Sequence, residues 1–423
     1  MGGRSRVLRS VLLPILALAS SHARTGEAKP PTDEAGRKLV EAAMEAPDTG
    51  FEAALAALAP YDELTWAEAT AWRKPLLTLA GKGRKAPVQA RNYLYDTPER
   101  GLYLLGGTKG GKGGLLVALH GGGAGAGDAG QAASAFGGAA SGLKMWMAAP
   151  EVLEKTERGW TDPPATEQFV LEMIEGLKRA GKVDPNRIYL TGHSMGGYGT
   201  WTLGAIHADL FAGLSAFAGA PSCYRKGGSG PIEGVEDGIL PNLRNLPIFV
   251  YQSLDDKNVP PESNEFAMPA LDRLEKDDPG GYVHTYERVD GRGHDFPEKG
   301  PEPGIAWAGK NPRNPRPKKI VWQPVRAWKH QFYWLYWPRP ALGTIVTVES
   351  KGGNAFTVSG TGALDELRLL VDERSIDPTK DVVVTVDWKE TFRGAAKPSL
   401  RTLVRTARRN DADLLFAAEV PVK

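Results

Sequence analysis

Residues 192–197 read Gly-His-Ser-Met-Gly-Gly, and the segments on either side leave this stretch little choice of geometry. Residues 187–191, Arg-Ile-Tyr-Leu-Thr, form a β-branched and aromatic run of strand length, announced by the turn residues Asp184, Pro185 and Asn186. Residues 198–207 read as helix. A strand that gives way to a helix across Gly-x-Ser-x-Gly turns so sharply that a side chain two residues from the serine would clash with it. Gly192 and Gly196 meet that demand. The spacing predicts a nucleophile elbow, with the Ser194 hydroxyl exposed on a strained backbone.

The same alternation extends through the middle of the chain. Residues 89–95, 101–105, 115–119, 145–149, 211–218, 247–251 and 282–289 read as strands, with helices at 167–180 and around 265–276. Residues 115–119 are almost wholly apolar, as in a strand buried on both faces. Strands alternating with helices predict an α/β fold with a mostly parallel sheet and helices on both faces. Around it we expect a helical N-terminal extension at 24–86 packing on the main domain, the α/β domain at 87–300, a proline-rich linker at 301–316 and a β-rich C-terminal accessory domain at 317–423. At 423 residues the chain is long enough for two or three domains.

A serine hydroxyl needs a base within reach and an acid that orients the base. In this strand order the acid follows the next-to-last strand and the histidine follows the last. After 247–251 comes Gln252-Ser253-Leu254-Asp255-Asp256-Lys257-Asn258-Val259-Pro260, and after 282–289 comes Gly291-Arg292-Gly293-His294. His294 is the expected base. Asp256 is preferred as the acid, with Asp255 the rival. Donors for a developing oxyanion are expected from the Met195 N–H and from His120-Gly121-Gly122-Gly123 after the third strand, through Gly122 and Gly123. No phosphate-loop or dinucleotide fingerprint occurs, the histidines are scattered and Cys223 is the only cysteine, so neither metal nor cofactor is expected.

Residues 1–23 carry Arg4, Arg6 and Arg9, an apolar run at 11–18 and small-residue cleavage sites after Ala19 or Ala23, which predicts a cleaved signal peptide and a secreted or periplasmic protein. That run is too short to span a bilayer, so no stable membrane insertion is expected. A net charge of +2 gives no reason to expect nucleic acid. The residues from 301 onward are nevertheless mildly basic, with 20 Lys and Arg against 13 Asp and Glu.

Taken in order, His120-Gly-Gly-Gly123, the run Asp184 to Gly197, Asp256-x-x-Val-Pro260 and Gly293-His294 resemble the α/β-hydrolase superfamily. Within it they are most similar to secreted esterases grouped with polyhydroxybutyrate depolymerases, feruloyl esterases and prolyl-oligopeptidase-like hydrolases. The resemblance covers residues 88–301 and implies Ser194, Asp256 and His294 as a triad that hydrolyses an ester or amide, in a small or polymeric substrate, through an acyl-enzyme. A serine peptidase and a degenerate, surface- or polysaccharide-binding hydrolase are the alternatives. One departure bears on the acid: relatives usually have His-Gly where this chain has Gln252-Ser253. Trp160 is expected either to wall the substrate pocket or to pack in the core. The aromatic cluster Trp307, Trp322, Trp328, Trp334 and Trp337 falls partly on strand periodicity, which favours packing over a stacking platform.

Overall fold

The computed structural model describes residues 34–95, 100–107, 113–122, 126–153, 159–161, 164–181 and 183–423; the expected signal peptide and Gly123 lie outside them. Three helices lead into the sheet: α1 (Glu34–Glu45), α2 (Asp48–Ala56) and α3 (Trp66–Ala80). The sheet comprises β1 (Arg91–Tyr93), β2 (Leu102–Gly107), β3 (Gly113–Leu119), β4 (Trp146–Pro150), β5 (Val183–His193), β6 (Gly213–Phe217), β9 (Ile248–Ser253) and β10 (His284–Val289), with a side ribbon of β7 (Cys223–Arg225) and β8 (Ile232–Val235). Strand order is β1-β2-β4-β3-β5-β6-β9-β10. The first two pairings are antiparallel and the remaining five are parallel.

Strand β3 explains why the sheet is covered on both faces. Successive side chains on a strand point to opposite sides, so Leu115, Val117 and Leu119 enter one apolar core and Leu116 and Ala118 the other. The first core is closed by α5 (Pro164–Arg179), α6 (Met195–Ile206) and α7 (Glu262–Asp277), through residues such as Met173, Trp201 and Leu271. The second is closed by α4 (Ala129–Gly142) and α8 (Glu302–Ala308), through Phe136 and Ile305.

One of these helices lies in a stretch with no assigned element and another where a linker is expected. The first, α4, has the sequence AGQAASAFGGAASG, whose glycines interrupt any apolar periodicity. Asp128 caps it, its Oδ1 accepting the Gln131 N–H at 2.8 Å, and its small residues let the helix lie close on the sheet and bury Phe136. In the stretch 301–316, expected to be linker, α8 packs on the sheet with Ile305 and Ala308 buried. Its prolines stand at 301 and 303, at the cap and in the first turn, where no intrahelical N–H is lost. Here proline density marks a helix start.

The C-terminal strands form two more sheets. One has the order β11 (Lys319–Trp322), β14 (Val346–Gly352), β15 (Ala355–Gly360), β17 (Val382–Val386), β18 (Lys389–Gly394). The other runs β12 (Gln331–Phe332), β13 (Leu335–Tyr336), β16 (Arg368–Val371), β19 (Ala418–Pro421). Their apolar faces share a continuous core with the α5, α6 and α7 side of the large sheet. Trp322, Trp334 and Trp337 lie inside it, and Trp322 stacks on Phe332 at 5.4 Å. Burying an aromatic side chain removes roughly 150–250 Å² from water, worth about 4–6 kcal/mol before the entropy of ordering. Trp328 remains 42% exposed.

The N-terminal helices belong to a different neighbour from the one expected. Val40, Leu55 and Leu76 pack against Leu400, Leu403 and Val404 of α9 (Leu400–Ala407), so the extension covers the C-terminal unit. Asp62 bonds Arg401 Nε at 2.7 Å and Arg73 meets Glu373 at 2.8 Å across the same contact.

Candidate active site

In a parallel sheet the loops after the strands gather at one edge, and four such loops converge here. Gly192 of β5 pairs with Leu119 of β3 and Ala216 of β6, which aligns the end of β5 with both neighbours. Ser194 sits directly after β5 with φ 58° and ψ −121°, a backbone state that side chains other than glycine rarely adopt. The turn is held by the Ser194 N–H donating to Phe217 O and the Tyr198 N–H donating to Ser194 O, each at 3.0 Å. A Cβ on Gly192 would lie 2.2 Å from Gly196 O, and one on Gly196 would lie 2.2 Å from Leu119 O. Both positions therefore demand glycine.

Downstream, the two carboxylates compared in the sequence take separate tasks. Asp256 is buried; its Oδ1 accepts the N–H groups of Asn258 and Val259, both at 2.9 Å, and its Oδ2 faces His294 Nδ1 at 2.7 Å. Asp255 Oδ1 accepts the Ser253 hydroxyl at 2.6 Å and the N–H groups of Gly293 at 2.9 Å and Gly291 at 3.1 Å. Those bonds, the Ser253 hydroxyl first, hold the Asp255 carboxyl below its usual range. Asp255 thus grips the backbone of the loop whose side chain Asp256 orients.

The Gln252-Ser253 departure fits the same arrangement. Gln252 is buried, donates from Nε2 to Ser253 O and Val259 O at 2.9 and 3.0 Å, and accepts from Asn264 Nδ2 at 2.9 Å. Ser253 Oγ in turn accepts the Arg292 N–H at 3.1 Å. The pair braces both loops from beneath.

Ser194, His294 and Gly122 line one cavity of about 640 Å³, walled by Phe136 and Phe296. Ser194, Met195 and Gly122 also line a second, of about 400 Å³, with Tyr198, Thr202 and Ser222. Asn258 borders both. Met195 opens α6, so its N–H has no acceptor within the helix. Gly122 has φ 108°, and the loop behind it is set by His120: the Val152 N–H donates to Nε2 at 3.2 Å, which leaves Nδ1 to donate to Gly121 O at 2.8 Å. Trp160 is buried, donates its indole N–H to His120 O at 3.3 Å and also borders the smaller cavity, so it serves core and pocket together. His193 lies against the rings of His294 at 4.8 Å and Phe296 at 4.5 Å; burial first, and His294 second, push its pKa down to about 4.

Phe136, Phe296, Asn258 and Tyr198 were not singled out from the sequence. Asn258 lies inside the 256–260 stretch and Phe296 two residues past His294, which are usable signals; Phe136 carries none, because it stands alone in a stretch of Ala, Gly and Ser. Among the described residues no group of three or more His, Cys, Asp or Glu is arranged to hold a metal, and no helix is long and apolar enough to cross a membrane.

No family model matches the chain. Its sequence is 36% identical over 74 residues to NocK of Nocardia uniformis subsp. tsuyamanensis, named an esterase, and 36% identical over 52 residues to poly(3-hydroxyalkanoate) depolymerase C of Paucimonas lemoignei. These matches span 18% and 12% of this chain, and only 20% and 13% of the length of those relatives. Similar solved structures include a thermostable esterase (23% identity, TM-score 0.40, 53% of this chain and 64% of that one). Another is esterase 2 of Thermogutta terrifontis (14% identity, TM-score 0.38, 54% and 93%). The sheet order, its antiparallel entry followed by parallel crossovers, and the strained serine between β5 and α6 give this chain the α/β-hydrolase fold.

Proposed function

We propose that the protein is a secreted serine hydrolase of carboxylic esters that works through an acyl-enzyme. The observation that carries the reading is the bond from His294 Nδ1 to the buried Asp256 carboxylate, beside a cavity that His294 shares with the strained Ser194. With Nδ1–H committed to Asp256, Nε2 of His294 keeps its lone pair for the serine proton. Ser194 Oγ attacks the ester carbonyl as His294 takes that proton, and the oxyanion develops toward the N–H of Met195 and of Gly122 or Gly123. Collapse returns the proton from His294 to the departing alcohol. Water, deprotonated by His294, then releases the acid and restores Ser194.

A leaving group departs toward its proton donor, so the 640 Å³ cavity beside His294 takes the alcohol and the 400 Å³ cavity beneath Tyr198 takes the acyl group. Hydrolysis of p-nitrophenyl acyl esters by mature protein, beside Ser194→Ala, tests the reading. Turnover by the wild type alone, with unchanged unfolding of the variant and a covalent fluorophosphonate adduct on Ser194, is the expected result. Equal turnover by both proteins, or neither turnover nor adduct in the wild type, overturns it.

A further inference from the structure

The aromatic residue that the fold leaves without an explanation is Trp388. It stands at the tip of the β17–β18 hairpin and is 98% exposed, whereas Trp322, Trp334 and Trp337 are buried. Val386 pairs with Lys389, so Asp387 and Trp388 form a two-residue turn, with φ of 45° and 70°. Turns of this kind require positive φ at both positions and favour Asn-Gly or Asp-Gly. An indole where glycine fits best strains the backbone and exposes a large apolar surface to water. Neither local geometry nor packing repays that cost. A site that uses the indole would.

Such a site is present beneath it. Trp388 and Asp387 border a shallow cavity of about 260 Å³ whose floor is the outer face of the five-stranded sheet. That face carries hydroxyls in register: Thr347 opposite Ser359, and Thr357 beside Thr385. The residues between them, Val348, Phe356, Val358 and Val384, are buried on the other side. At the rim Lys351 pairs with Glu349 at 2.7 Å and Lys319 with Asp278 at 2.8 Å, a carboxylate it shares with Arg244. One flat apolar ring, a carboxylate and a floor of hydroxyls, with the lysines already paired, match the alternating C–H faces and hydroxyl edges of an uncharged sugar. The Asp387 carboxylate at the rim disfavours an anionic polymer. The cavity is smaller than the roughly 300 Å³ of a pocket that encloses a small molecule, which suits one ring of an extended chain lying across a surface.

We propose that this cleft binds a neutral polysaccharide, with a sugar ring stacked on Trp388 and its hydroxyls bonded by Asp387, Thr357 and Thr385. The C-terminal unit would then hold the protein on a glycan, whether or not Ser194 hydrolyses esters. The test is affinity electrophoresis of the full chain in gels containing hydroxyethyl cellulose, arabinoxylan or glucomannan, beside Trp388→Ala and Thr357→Val. At least one of these polymers should retard the wild type, and Trp388→Ala should weaken that binding by about ten-fold or more, the scale of one lost stacking contact. Both variants should keep the wild-type melting temperature, since Trp388 contributes almost nothing to the core. Tryptophan fluorescence should shift to the blue on binding in the wild type and not in Trp388→Ala. Equal retardation of wild type and Trp388→Ala, or none by any neutral polymer, overturns the proposal. Retardation only by polygalacturonate, or a wild-type dimer that Trp388→Ala dissolves, overturns it as well.

Discussion

Replacing Asp256 by Asn isolates the contribution of one oxygen atom. The Asn side chain keeps an oxygen at the Oδ1 position, so the N–H groups of Asn258 and Val259, each 2.9 Å away, retain their acceptor and the loop stays closed. At the Oδ2 position an NH2 group now faces His294 Nδ1 across 2.7 Å, where two donors cannot share a proton. The imidazole then carries its proton on Nε2 and has no lone pair to offer Ser194. Loss of the correct tautomer is worth about 10³–10⁴ in kcat, or about 4–5.5 kcal/mol of transition-state stabilisation, with little change in KM. The assay is p-nitrophenyl acetate hydrolysis under saturation, with circular dichroism to verify the fold. Asp255→Asn is the comparison: it also keeps an oxygen for Gly291 and Gly293, and activity should stay near wild type. Wild-type turnover by Asp256→Asn, with collapse of Asp255→Asn, would exchange the two roles and refute the reasoning.

Three further outcomes follow from other parts of the molecule. Gly196→Ala drives a Cβ to 2.2 Å from Leu119 O, so it should cost at least about 1–3 kcal/mol of stability and most of the activity; a stable, active variant would sink the turn geometry. Asp209 is fully buried between Lys329 and Arg409, at 2.8 and 2.7 Å. Burial alone would raise its pKa, but the charges of Arg409 and Lys329 outweigh that and hold it far below the usual range. Asp209→Ala strands buried Lys329 and partly buried Arg409 and should lower stability in urea by about 3 kcal/mol; a change under about 1 kcal/mol would contradict this. His193 titrates near 6.5 in the unfolded chain and near 4 when folded, so between those values the unfolded state binds the extra proton. Stability should therefore fall as pH drops from about 6.5 to about 4, and His193→Phe should flatten that slope in thermal melts.

What was legible in the sequence is local. Glycine spacing around Ser194, the apolar run of β3 and the positions of Asp256 and His294 after successive strands all depend on residues a few places apart. The gaps have physical causes. Helix α4 draws no assignment, because its helicity depends on one cap and on contact with the sheet. Strand β18, Lys-Glu-Thr-Phe-Arg-Gly, has a single large apolar residue and draws no assignment, because as the edge strand it pairs with β17 alone and keeps most side chains in water. The division of labour between Asp255 and Asp256 was likewise open, because adjacent carboxylates differ only in which way each points.

By itself, then, the sequence determined the alternating α/β core, the sharp turn at Ser194 and the order of the groups that follow, because steric demands and side-chain periodicity act over one turn or one strand. Only the tertiary structure decided what meets across long separations. His294 reaches Asp256 over 38 positions, Asp62 bonds Ser399 over 337, and Asp209 is neutralised from 120 and 200 residues away. Those contacts depend on how whole elements bury their apolar faces together, and that sum is written nowhere in a local window. The N-terminal helices sit on α9 for that reason: their apolar stripes and that of α9 are buried in one shared cluster with Leu415 and Ala417.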